Sequence, residues 1–395
     1  MSTVTAVPFR IGTLNVDELI SSARAATELT EFGNPDVLAP LSALVSSLNQ
    51  ESNLTLQGEA RRRLALVRAL SNRLRLNDAI TREPSIEREV ISKPVFVIGL
   101  QRSGTTKLQR VLSADPGSQK LLLWRLLQPV ASTAAHTGQP DPRIAQAEAF
   151  VAAMRQNAPQ MYAAHPMYAQ QADEEVYVME IAFLANINAT AYRAPSFDAW
   201  LCDQSFESWY FWFKRLLQYV QFSDRAAGRP WVLKAPHHMG FMPLLFKFFP
   251  DATVVHTHRD PAVAVSSFAA LAQAARSSNQ FTADPREAGR YCLDYCAARM
   301  RTYLCDRAAL GREGQFIDVN YRDVVADCES VARRIYQRTG RVLEATALSA
   351  MRAWEAEHAQ HKHGSHRYSL ADFGLEKTEV EAAFRAYTDR FRQFC

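Results

Sequence analysis

The stretch Val95-Phe-Val-Ile-Gly-Leu-Gln-Arg-Ser-Gly-Thr-Thr-Lys-Leu-Gln-Arg110 constrains the fold more than any other part of the chain. Val95 to Ile98 is a short, β-branched apolar run, as expected of a parallel strand covered on both faces. Gly99 and Gly104 bracket a four-residue loop, and Leu108, Val111 and Leu112 then follow at helical spacing, closed by Asp115-Pro116. A strand, a tight loop and a helix in this order turn backbone N–H groups and the positive end of a helix towards one point, which suits phosphate or sulfate. The spacing is nearly that of a nucleotide-binding P-loop, yet Thr105 and Thr106 stand where a Walker loop has Lys followed by Ser or Thr. The cation here is Arg102, inside the loop. A loop with that cation and two hydroxyls suits a compact anion that needs no metal.

Three further strand-like runs follow. They are Trp231 to Pro236, Thr253 to His258 and Phe316 to Tyr321, with helical segments between them. Strands alternating with helices predict an α/β fold with a central parallel sheet flanked by helices, of P-loop NTPase-like type. Ligands of such sheets sit beyond the C-terminal strand ends. Arg102, Lys234, Arg259 and Tyr321 each fall at or just after such an end. Residues 1–90 read as a helical N-terminal extension, and 91–395 as the α/β domain with a helical insertion at about 144–222. Arg61-Arg-Arg63 reads as the solvated face of an N-terminal helix. The aromatic run Trp209-Tyr-Phe-Trp-Phe213 reads as core, and Asp173-Glu-Glu175 as the start of a helix.

Composition narrows the partners. A formal net charge of +4 on 395 residues implies no polyelectrolyte role with nucleic acid. No apolar stretch approaches ~18 residues, so no membrane span is expected, and the first ten residues lack the pattern of a signal peptide. Six cysteines without metal-ligand spacing predict reduced thiols in a cytoplasmic protein. His358, His361, His363 and His366 raise a metal site, but no carboxylate or cysteine completes the set, and none is expected. Oligomeric state is not encoded in any pattern found here.

Taken together, these motifs resemble the sulfotransferase family, in particular its bacterial branch with a Gly-x-x-Arg-[Ser/Thr]-Gly-Thr-Thr loop. The resemblance extends from Asn53-Leu-Thr-Leu-Gln-Gly58 and Leu70-Ser-Asn-Arg-Leu74 through Asp173-Glu-Glu175 and Trp231-Val-Leu-Lys-Ala-Pro-His-His238. It continues through Phe249-Pro-Asp-Ala252 and His258-Arg-Asp-Pro261 to His366-Arg-Tyr-Ser-Leu-Ala-Asp-Phe-Gly374. It implies 3′-phosphoadenosine 5′-phosphosulfate (PAPS) as donor, with Arg102, Ser103, Gly104, Thr105 and Thr106 around the 5′-phosphosulfate. By the same resemblance Arg259 and Ser267 would hold the 3′-phosphate, with Tyr321 near the adenine or that phosphate. Departures from the family pattern are Gln101 for Pro, Val263 for Asp, Arg322 for Glu, and Pro236 at the position of the His found in eukaryotic relatives.

Sulfuryl transfer needs in-line attack, stabilisation of the leaving phosphate and a base for the acceptor hydroxyl. Arg102 and Lys234 are the candidates for charge stabilisation. For the base, His238 is the first candidate, His237 the second and Glu175 the third. The aromatic and methionine content of 150–222 points to a small apolar or aromatic hydroxyl acceptor. Two other readings remain open at this stage: an ATP-dependent small-molecule kinase, and a non-catalytic binder of adenosine 3′,5′-bisphosphate. The kinase lacks a Walker Lys, and the binder has no need of Lys234 or a base.

Overall fold

The computed structural model describes residues 9–33, 37–131, 140–185, 187–358 and 368–394. Of the four histidines considered for a metal, His361, His363 and His366 lie outside these residues.

Five strands form one parallel sheet: β1 (Val95–Gly99), β2 (Gln119–Lys120), β3 (Trp231–Lys234), β4 (Thr253–His258) and β5 (Phe316–Asn320), in the order β2-β3-β1-β4-β5. The expected central parallel sheet flanked by helices is therefore present. β1 lies between β3 and β4, pairing Val97 with Lys234 on one side and Val97 with Val255 on the other. The chain crosses from one side of β1 to the other at this point, so the loop after β1 opens at the topological switch of the sheet. Every residue of β1 is buried, which explains its uninterrupted apolar run.

Some boundaries differ from the sequence reading. β3 stops at Lys234, because Ala235 leads into a short 3₁₀ turn, Pro236–Gly240. β5 stops at Asn320, whose side chain accepts the Arg322 N–H at 2.7 Å and starts a helix at Tyr321. β2 was not foreseen, since two residues carry no readable alternation.

The N-terminal helices α1 (Val16–Thr27), α2 (Leu38–Glu51) and α3 (Leu56–Arg82) share one continuous apolar core with the sheet. Arg73 of α3 is buried; its Nε donates to the Phe32 carbonyl at 2.7 Å, and its guanidinium lies 3.5 Å from the Trp212 ring centroid. The helix Glu207–Ser223 contributes Trp209, Tyr210, Trp212 and Phe213 to that core as expected of the aromatic run, but Phe211 is exposed, because five consecutive helical residues cannot all face one side. Arg61-Arg-Arg63 is not a uniform solvated face. Arg62 is buried because Glu180 pairs with it at 3.1 Å and the Tyr192 ring covers it. Among the described residues no helix is long and apolar enough to cross a membrane.

Candidate active site

The loop after β1 owes its shape to two glycines. Gly99 packs so tightly that an added Cβ would lie 2.5 Å from both Ser103 Oγ and Thr257 Oγ1. Gly104 has φ 88° and caps α4 (Thr105–Ser113), where a Cβ would meet the Tyr321 ring at 3.0 Å. Arg102 also sits at positive φ, 70°, which turns its side chain across the loop. Its Nε donates to Ser267 Oγ at 3.1 Å and its Nη1 to the Ala164 carbonyl. Arg259 donates from Nη1 to the Arg102 carbonyl and lies 4.0 Å over the Tyr321 ring. Ser267 reaches this point from the helix Pro261–Asn279, two turns along from Arg259.

These groups open onto one cavity of about 550 Å³, lined by Arg102, Gly104, Thr105, Thr106, Arg259, Ser267 and Tyr321. A second wall is apolar and includes Met161, Met167, Tyr177, Ile187, Phe268 and Leu271. Burial, followed by the charge of Arg259, lowers the proton affinity of Arg102. Among the described residues neither arginine forms an ion pair. Two unneutralised guanidinium groups side by side are a strong attraction for a polyanion.

Three of the expected residues are placed differently. Ser103 is fully buried and structural: its hydroxyl donates to the Leu100 carbonyl at 2.6 Å and meets Thr257 Oγ1 at 2.8 Å. Lys234 sits just behind the cavity wall. Its ammonium donates to Thr106 Oγ1 at 3.2 Å and pairs with Glu174, and both of those partners line the cavity. His238, the first candidate for the base, is shut inside the core and does not line the cavity. Its Nδ1 meets the Tyr210 hydroxyl at 2.9 Å, its ring packs against Phe96 and Trp209, and burial pulls its pKa down to about 3. The Pro236–Gly240 turn sends successive histidines to opposite sides, so only His237 faces the cavity. Burial pulls His237 down to about 4 and leaves its Nδ1 without a partner.

Glu175 is also enclosed. β2 pairs only with Trp231 and Val232, and the Glu175 carboxylate accepts the Lys234 N–H beyond its reach. Burial pushes Glu175 up to about 8, so it is held as the neutral acid at pH 7. The neighbouring Asp173 and Glu174 behave in the opposite way. Burial opposes their charge, but His165 and Arg110 around Asp173, and Lys234 beside Glu174, hold both below the ordinary carboxylate range. His165 lines the same cavity, and the sequence reading did not single it out.

His256, His258 and Asp318 form a cluster with metal-ligating atoms within 4.8 Å of one another. Arg307 occupies both Asp318 oxygens at 2.7 and 2.8 Å, so the cluster is a closed ion-pair network.

The parallel sheet has the P-loop-like architecture, and its first loop and neighbouring strand ends present cations and hydroxyls to one cavity. Comparison with known proteins assigns it further: the sulfotransferase family model matches residues 94–345, and the chain belongs to that family. It is 26% identical, over 72% of its own length and 72% of theirs, to the omega-hydroxy-beta-dihydromenaquinone-9 sulfotransferases Stf3 of Mycobacterium bovis and Mycobacterium tuberculosis. Its structure is similar to sulfotransferase STF9 from Mycobacterium avium, with 26% identity, a TM-score of 0.85 and coverage of 99% and 98% of the two chains. It is likewise similar to sulfotransferase STF1 from Mycobacterium tuberculosis, with 28% identity, a TM-score of 0.78 and coverage of 95% and 100%.

Proposed function

We propose that this sulfotransferase moves a sulfuryl group from PAPS to the hydroxyl of a small apolar acceptor. The convergence of Arg102, Arg259 and Ser267 at the open end of β1 carries the reading. Two linked cations, one of them bonded to the Ser267 hydroxyl, suit a nucleotide with phosphates at both its 5′ and 3′ positions. Thr106, whose hydroxyl would hold magnesium in a Walker loop, instead accepts from Lys234, which argues against an ATP-dependent kinase. No metal takes part in this scheme.

Within it, the glycine loop, Thr105 and Thr106 hold the phosphosulfate, and Arg102 faces the oxygen on which charge builds. Lys234 acts from behind Thr106 as a positioning residue, since its ammonium does not line the cavity. Tyr321 stacks on Arg259 and keeps that guanidinium aimed at the 3′-phosphate. The acceptor lies along the wall of Met161, Met167, Ile187, Phe268 and Leu271, which offers apolar contact and little hydrogen bonding. The Mycobacterium relatives are named for a hydroxylated dihydromenaquinone, and an apolar hydroxyl compound is the corresponding acceptor class here.

The test is incubation with sulfur-labelled PAPS and a panel of phenols, long-chain alcohols, sterols and sugars. Transfer to sugars in preference to apolar alcohols would overturn the acceptor assignment, and use of ATP with magnesium would overturn the donor. Arg259→Ala should weaken binding of adenosine 3′,5′-bisphosphate by about 2 kcal/mol, the loss of one charge-assisted bond to phosphate. Titration calorimetry giving an unchanged dissociation constant would place the 3′-phosphate elsewhere.

A further inference from the structure

Building on the proposed sulfuryl transfer, we infer that His165, oriented by Asp173, is the base that takes the proton from the acceptor hydroxyl. His165 lines the cavity, and its Nε2 meets Asp173 Oδ1 at 3.3 Å. Asp173 is fixed in turn. Arg110 Nη2 donates to its Oδ2 at 3.3 Å, and the Glu174 N–H donates to its Oδ1 at 2.8 Å. The backbone on either side of His165 is held by the donor site itself. Arg102 binds the Ala164 carbonyl, and Arg110 binds the Pro166 carbonyl at 3.0 Å. The backbone flanking His165 is therefore tied at two points to the loop and helix that would carry the phosphosulfate, and its ring to Asp173.

The alternatives are weaker on physical grounds. His238 and Glu175 do not line the cavity. His237 does, but among the described residues its Nδ1 has no hydrogen-bond partner, and burial outweighs the nearby Glu174 in opposing the charge it would gain. Glu174 lines the cavity too, yet its carboxylate is already paired with Lys234. A carboxylate held in an ion pair is a poor proton acceptor. Among the described histidines that line the cavity, His165 combines that exposure with a bond to a buried carboxylate, whereas His237 makes no such bond and His358 meets Gln171 and the Trp354 carbonyl. This is the logic by which an Asp orients a catalytic His. With Asp173 ionised, Nε2 carries the hydrogen and Nδ1 offers its lone pair. In the step, the acceptor oxygen bonds to sulfur while the bond from sulfur to the bridging oxygen breaks. That electron pair leaves with the 5′-phosphate, and the hydroxyl proton passes to Nδ1.

The experiment uses the full chain with sulfur-labelled PAPS, 1-dodecanol and 4-nitrophenol as probe acceptors, and water as the acceptor where neither is taken. His165→Gln should lower turnover ~10²-fold and keep the wild-type affinity for adenosine 3′,5′-bisphosphate within about twofold, because a base acts in the transition state. Asp173→Asn should lower kcat about tenfold and keep that nucleotide affinity within about twofold, with Asp173→Glu recovering part of the rate, because the carboxylate acts by orienting the ring that His165 presents to the acceptor. An Asp173→Asn variant with a lowered melting temperature but unchanged kcat would overturn the orienting role and leave Asp173 purely structural.

Wild-type turnover and nucleotide binding, together with a His165→Gln variant as fast as wild type, would overturn the dyad alone. So would loss of activity in His237→Gln with His165→Gln unaffected. A wild-type chain that neither binds the bisphosphate nor consumes PAPS would overturn the donor assignment, and the dyad with it.

Discussion

Arg102→Ala is expected to lower kcat/KM for sulfuryl transfer by ~10³-fold, the largest loss of any single loop substitution. Removing a preorganised donor from the site of charge development costs on the order of 10²–10³-fold in turnover, and Arg102 also holds Ser267 and the Ala164 carbonyl in place. Its guanidinium lines the cavity and lacks an anionic partner among the described residues, so its charge is fully available to the donor. The loss should fall mainly on turnover. Affinity for adenosine 3′,5′-bisphosphate should drop only about tenfold, because Arg259 and the backbone N–H groups at the start of α4 remain. Arg102→Lys should recover part of the rate through its charge but not all of it, since a point cation cannot bond Ser267 and a phosphate oxygen in one plane. A rate within tenfold of wild type in Arg102→Ala would remove Arg102 from the proposed mechanism.

The second large effect is expected in stability against pH. His237, His238, His256 and His258 are all enclosed, and burial lowers the proton affinity of each. Because the folded pKa lies below the unfolded value of ~6.5, the unfolded chain binds more protons below that pH. The stabilising contribution is complete above ~6.5 and shrinks as pH falls towards 4, by up to about 1.4 kcal/mol per pH unit for each histidine. Glu175 works the other way. Its raised value, about 8, makes its burial least costly below the ordinary carboxylate range, so it returns stability on acidification. Asp318 is held well below that range by its bonds to Arg307 and His258, despite burial. It therefore gives up stability only under more strongly acidic conditions.

Four histidines against one carboxylate leave a net loss of stability between pH 7 and pH 5. Urea unfolding at the two pH values measures it directly, and equal midpoints would refute it. Among the described residues neither ring nitrogen of His256 has a hydrogen-bond partner, Asp318 lying 3.9 Å from its Nδ1, and its ring packs edge-on against Tyr303 with centroids 4.8 Å apart. His256→Phe should accordingly flatten the pH dependence by about one histidine's share while retaining the ring packing.

What the chain declares locally is the loop. A buried β-branched run, two glycines at a fixed interval, a cation between them and two threonines after them are all contiguous, so the loop is written in one short stretch of sequence. The strand ends at Lys234, Arg259 and Tyr321 were legible too, because the alternation of strand and helix fixes on which edge of the sheet they emerge. Aromatic residues at helical spacing in Glu207–Ser223 were legible as core for a similar reason. Which histidine lines the cavity was not legible. Whether a histidine faces a cavity or the interior depends on partners far away in sequence: Tyr210 and Phe96 enclose His238, while Arg102 and Arg110 hold the backbone on either side of His165 at the cavity. Lys234, too, is withdrawn behind Thr106 by Glu174, sixty residues earlier in the chain. Sequence spacing determines which groups can reach the end of the sheet, but burial and charge pairing are long-range, and only the packed chain decides which of those groups open onto the cavity.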